Sequence, residues 1–134
     1  MTRTAQGSFE VKTAPLPMDE AIAATSIARH SLDKSYRGDL EGASAGEMLS
    51  AGAPATGTAG YVAIEQVTGV LHGRTGSFAL QHFGAMRAGA FDLTVRVVPG
   101  SGTDSLEGIA GTMTITIAPG RHTYSLEYTL PGSE

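Results

Sequence analysis

Glu65, His82 and Tyr61 are the side chains whose types and placement could do chemistry. Along Tyr61 to Gly73, strand alternation puts Tyr61, Ala63, Glu65, Val67, Leu71 and Gly73 on one side. Leu71 and the glycines mark that side as internal, which carries Tyr61 and Glu65 inward. In Ser77–Phe83, the apolar parity of Phe78 and Leu80 brings His82 in as well. In Ser26–Arg37, Ala28, Leu32 and Tyr36 bring His30 and Lys34 with them, and Tyr124 and Tyr128 face inward beside Leu126. A carboxylate and an imidazole in one apolar cavity can serve as general acid and base, because burial raises the acid's pKa and a nearby charge lowers it again. Phenols such as Tyr61 and Tyr128 could hold a carbonyl or epoxide oxygen. The expected site is a proton-shuffling or cyclising pocket. Its catalytic candidates are Glu65, His82 and Tyr61, and its ligand-binding candidates are His30, Tyr124, Tyr128 and Phe78. Each also has a plainer role: a buried glutamate satisfies an Arg, a Tyr or the backbone, and a buried histidine is a hydrogen-bonded core residue.

Other chemistries find less support. No two of the four histidines share an H-x-H or H-x-x-x-H spacing, and the chain has no cysteine, so no metal site is expected and no cofactor is implied. Gly100-Ser101-Gly102 is followed by no helix, so it lacks the amide cradle and dipole of a phosphate loop. Ser101 stands in no nucleophile elbow. His122, just after Pro119-Gly120-Arg121, reads as a solvated turn residue.

The elements that must position these residues are strands. Residues 3–12 alternate around Phe9 and Val11, and Pro15 and Pro17 then stop the ladder. A turn or single helical turn precedes a strand over Ser26–Arg37. Leu40–Met48 reads as a strand with glycine bends, with a mobile loop as the alternative. Thr56–Gly60 reads as a turn and Tyr61–Val67 as a strand; Gly69–Arg74 is a further strand or its continuation past a bulge. Gly76 reads as a turn, Ser77–Phe83 as a strand, and Gly84–Gly89 as a hairpin loop. Phe91–Val98 alternates cleanly, and Met113, Ile115 and Ile117 face away from Thr112, Thr114 and Thr116. Tyr124, Leu126, Tyr128 and Leu130 form the inner face of a last strand. About eight short-turned alternating strands predict an all-β, eight-stranded antiparallel barrel, since closure removes exposed edges. Gly102, Gly108 and Gly111 in SGTDSLEGIAGTMTITI would be its corner.

Composition narrows the class. At 134 residues the chain is one domain, with a core expected over about residues 8–131. Its 18 glycines sit among Thr, Val, Ile and Tyr and so punctuate strands. A net charge of -4, with nine unclustered Lys and Arg, sets aside nucleic acid as a partner. No apolar run is long enough for a spanning helix, and the N-terminus has no apolar signal core, so a cytoplasmic protein with no membrane partner is expected.

The segment GSGTDSLEGIAGTMTI resembles the glycine framework of allene oxide cyclase-like barrels, which dirigent proteins echo. With KSYRGDLEGASAG, YVAIEQVTGVLHGRTGSFALQHFG and HTYSLEYTL, it resembles the DUF3224 group of bacterial proteins of unknown function. The resemblance implies an eight-stranded barrel that is homo-oligomeric, as relatives often are. The better-known barrels of this kind handle apolar small molecules inside the barrel without a metal. The cyclases use a buried glutamate on their first strand. The nearest acid here is Glu10, but Ser8-Phe9-Glu10 does not reproduce that pattern. Two functions follow as expectations: a barrel that binds an apolar molecule and acts as a cofactor-free isomerase or cyclase, or a structural or interaction protein with a filled interior. A cavity above ~300 Å³ walled by Glu65 or His82 would favour the first.

Overall fold

The computed structural model describes residues 2–88 and 90–132. Eight strands run β1 Arg3–Pro15, β2 Ala28–Gly38, β3 Leu40–Ala53, β4 Thr58–Leu71, β5 Arg74–Arg87, β6 Ala90–Val97, β7 Ala110–Ala118 and β8 Arg121–Thr129. Each pairs antiparallel with the next, and β8 returns to β1 from Phe9↔His122 to Arg3↔Tyr128, closing an up-and-down barrel. A single helical turn, α1 (Glu20–Ala23), precedes β2, and 3-10 turns occupy Pro54–Thr56 and Asp104–Leu106. No helix among the described residues is long and apolar enough to cross a membrane.

The strands are longer than local punctuation suggests. Gly76 lies inside β5 and makes no turn; the β4–β5 reversal falls at His72-Gly73 instead. Gly76 is there because a Cβ would come within 2.3 Å of the Thr103 carbonyl oxygen, where the 3-10 turn folds against β5. Gly84 through Arg87 likewise continue β5, and only Ala88 of the expected hairpin loop is a described turn residue; Gly89 lies outside the described residues. Thr58–Gly60 open β4, and β4 runs past Gly69 unbroken. Pro15 ends β1 beyond the part that pairs with β8, where its missing donor leaves no ladder bond unmade. Gly111 faces the backbone of β8, with the Glu127 carbonyl oxygen 2.2 Å from where a Cβ would sit. The close approach expected of a corner glycine is therefore real.

The two ends of the barrel differ. The end that carries the β2–β3 and β4–β5 turns is sealed. Leu40, Leu71, Phe78 and Tyr128 fill it, and Leu106 and Ile109 close it from the β6–β7 connection. At the opposite end the inward residues Met48, Tyr61, Leu93 and Ile115 are half-buried. Phe91 and Ile117, which share their parity, are 52% and 62% exposed. The wall also splits at this end. Among the described residues, β6 and β7 are register partners at Val95↔Met113 and Arg96↔Thr112 alone, so residues 90–94 and 114–118 have no partner in each other.

Candidate functional site

β2, β4 and β5 bring their inward polar residues together near the middle of the barrel. The carboxylate of Glu65, fully buried, takes three hydrogen bonds. Lys34 Nζ donates to Oε2 at 2.8 Å, the Tyr36 hydroxyl donates to Oε1 at 2.6 Å, and His82 Nε2 lies 2.6 Å from Oε2. The other ring nitrogen of His82 lies 3.2 Å from the Tyr61 hydroxyl. The Lys34 ammonium also sits over the rings of Phe9 and Tyr36, at 4.8 and 5.7 Å from their centroids.

These contacts settle the charge of the acid. Burial alone would raise the Glu65 pKa. The His82 hydrogen bond, the Lys34 charge and hydrogen bond, and the Tyr36 hydroxyl overcome it and hold the carboxyl down at about 2. Glu65 is therefore an ionised acceptor with three of its roughly four lone-pair sites in use. Burial and the same negative charge push the Tyr61 phenol up to about 12, and they raise Tyr36 too. Tyr61 thus stays a neutral phenol at ordinary pH.

Tyr61 is placed by a glycine on the next strand. Tyr61 and Gly84 are register partners, and a Cβ on Gly84 would lie 2.5 Å from the Tyr61 ring and 3.1 Å from Leu93 Cδ1. The phenol therefore lies flat over β5, one strand from the split between β6 and β7.

The other candidates are placed differently. The Tyr124 hydroxyl accepts from Leu40 N at 2.9 Å and has the carbonyl oxygens of Arg37 and Leu40, at 3.0 and 3.2 Å on either side of the β2–β3 turn, as alternative acceptors for its one proton. The Tyr128 hydroxyl pairs with His72 Nδ1, and the rings stack. Phe78 is wholly enclosed at the sealed end. These three pack and brace the closed end; the Tyr124 ring also meets the Tyr36 ring edge-on, centroids 5.6 Å apart, but none of the three hydrogen-bonds Glu65. His30 is half-buried on β2, and its buried Nδ1 finds no partner among the described residues. His122 stands on β8 against the Phe9 ring, centroids 5.3 Å apart, and is no free turn residue. Glu10 is exposed on the outer face. Among the described residues, no three His, Asp or Glu gather as metal ligands would.

Lys34 and Tyr36 were legible as inward residues but not as partners of Glu65. Their shared parity with Leu32 was the available signal; which strand they reach across to depends on the barrel's stagger. A concavity of about 830 Å³ has His82 in its lining, but its remaining residues other than Ala63 have outward parity, Leu49, Val62, Ile64 and Phe83 among them. It opens on the outside of the wall and is not the interior cavity that the binding expectation asked for.

Fold and cluster together define a closed up-and-down barrel sealed at one end, with an ionised carboxylate at its centre. The chain belongs to the DUF3224 family: the family described as "Protein of unknown function (DUF3224)" matches residues 5–128. It is similar to a crystal structure of a protein with unknown function from that family, from Shewanella oneidensis MR-1. The two are 44% identical, the match covers 99% of this chain and 100% of that one, and the TM-score is 0.89. No functionally curated protein matches.

Proposed function

We propose that this barrel receives a small apolar molecule bearing a carbonyl, hydroxyl or epoxide oxygen at the rim of its open end, against Tyr61, and that Tyr61, His82 and Glu65 move a proton on it. The observation that carries this reading is the unbroken hydrogen-bonded chain from a buried ionised carboxylate, through an imidazole, to a half-buried phenol beneath an apolar mouth. An ionised Glu65 favours the tautomer with the proton on His82 Nε2, leaving Nδ1 to accept from the Tyr61 hydroxyl. A substrate proton can pass to the Tyr61 oxygen while Tyr61's own proton passes to Nδ1. The resulting imidazolium is stabilised by the carboxylate beneath it. Reversal delivers a proton to a different substrate atom, so the net result is an isomerisation or cyclisation without a cofactor. In this reading Tyr61 is the group that meets substrate, and Glu65 is a positioning residue. Phe91, Leu93, Ile115 and Ile117 supply the apolar rim.

The competing reading is a non-enzymatic barrel. It is favoured by the packed lower half and by an ion pair that is complete without a ligand. A panel of apolar enones, epoxides and phenols, screened by chemical-shift perturbation in NMR spectra of the isotope-labelled protein, separates the two. The proposal expects binding to the wild type, shifts at Tyr61 and Leu93, and loss of binding in Tyr61→Phe with the fold unchanged. If no panel member perturbs the residues of the open end, the filled-barrel reading stands in its place.

A further inference from the structure

The outward faces of most strands are polar, as befits an antiparallel wall in water. β2 presents Asp33, Ser35 and Arg37, β7 presents Thr112, Thr114 and Thr116, and β8 presents Glu127 and Thr129. The wall formed by β3, β4 and β5 breaks this rule. Leu49, Val62 and Phe83 are register partners across it, with Ile64 beside them. All four are exposed, Phe83 by 68% and Ile64 by 56%. The patch continues to Met18 and Ile22 around α1, a helical turn that buries none of its own residues. A contiguous apolar area of this kind marks an interaction surface. Because the barrel is closed, a partner must dock on the face and cannot extend the sheet through an edge there.

The charges on this wall identify the partner. One register row crosses it as Glu47 (β3), Ile64 (β4), Gln81 (β5) and Arg96 (β6). It begins with an acid, ends with a base, and is uncharged between. A two-fold axis lying in the plane of the contact, parallel to the strands and passing between Ile64 and Gln81, lays the row face to face on its own reverse. Glu47 of each copy then faces Arg96 of the other, and the apolar centre is covered. Such self-complementarity is what an isologous interface requires. Glu47 already receives two hydrogen bonds from Arg29 of β2, at 2.8 and 2.9 Å, so the acid end of the row is a formed ion pair whose acidic side chain, 55% exposed, keeps carboxylate lone pairs open to a second arginine. We infer that a second copy of this chain docks on the outer face of β3–β6 about this two-fold axis.

Four strands at ~4.8 Å spacing and three to four outward rows at ~6.8 Å give roughly 400 Å² in projection, and α1 extends it. That is modest beside the roughly 800 Å² per partner of a stable interface, so the dimer should dissociate at micromolar concentrations. The test is sedimentation velocity of the full chain over a concentration series. The expected result is a monomer–dimer equilibrium reaching twice the 13.7 kDa of one chain. Phe83→Glu should remain monomeric with an unchanged circular dichroism spectrum. The charge-swap pair probes the axis itself. Glu47→Arg alone places arginine against arginine, and Arg96→Glu alone places acid against acid, so each should be monomeric. Mixed together, they restore both ion pairs and should form a heterodimer. A wild type that stays monomeric, including one that takes up detergent on this face, overturns the inference. So does a dimer that Phe83→Glu leaves intact, or a mixture that does not associate.

Discussion

Replacing Glu65 by glutamine tests whether the central cluster is held by charge or only by shape. The amide can keep one oxygen against Lys34 and His82 and turn its NH₂ toward the Tyr36 hydroxyl, which can rotate to accept. Volume and most hydrogen bonds survive, so the chain should still fold. What is lost is the negative charge, and Lys34, whose side chain is 4% exposed, is left without a counter-ion. Removing one partner of a buried pair costs about 3–5 kcal/mol. For a domain of this size that lowers the melting temperature by roughly 10–20 °C. The pH dependence gives an independent measure. Glu65 titrates at about 2 in the folded protein against an ordinary 4.5, so its contribution is present above 4.5 and is lost as pH falls toward 2. The difference corresponds to about 3 kcal/mol. Thermal and urea melts between pH 7 and 2 should show a steep acid loss in the wild type and a shallower one in Glu65→Gln. Adding Lys34→Met to Glu65→Gln should recover stability, since it removes the stranded ammonium. A variant that melts within about 2 °C of wild type at pH 7, with the same acid limb, would refute the argument.

Two further outcomes follow. Gly111→Val should destabilise the barrel by about 4 kcal/mol or more, because its Cβ would meet the Glu127 carbonyl oxygen of β8; a wild-type melting temperature contradicts the close approach. Tyr61 should ionise near pH 12 when followed by phenolate absorbance, and in Glu65→Gln its midpoint should fall only part of the way toward the ordinary value of 10, because burial, the larger cause, remains while the nearby charge is gone; an unchanged midpoint would mean that charge does not reach the phenol.

Much of the fold was legible because alternation on clean strands reports the inward side directly. Leu71 was enough to turn Glu65 inward, and Phe78 and Leu80 were enough for His82. Glycines were the recurrent source of error. Gly76 and Gly84 look like turn residues in sequence, yet one makes room for the Thr103 backbone and the other for the Tyr61 ring. Both reasons lie on chain distant in sequence, so no local reading could distinguish them from turns. The pairing of Lys34 and Tyr36 with Glu65 was hidden for a similar cause, since it depends on how far the strands slide past one another before the barrel closes. Tyr124 and Tyr128 have inward parity, as read; their depth toward the closed end is what alternation does not encode.

The short contact between β6 and β7 makes the barrel mechanically a slit tube. A cylinder cut along part of its length loses most of its resistance to twisting near the cut, while the uncut part stays stiff. The ladder bonds around Lys34 and Glu65 lie in the uncut wall, so the β5–β6 and β7–β8 hairpins, each paired within itself at the slit, can part there without breaking a ladder bond of the ion pair's strands. Amides along that slit should lose hydrogen-exchange protection first, and substitutions there can reshape the entrance while the charged centre remains as it is.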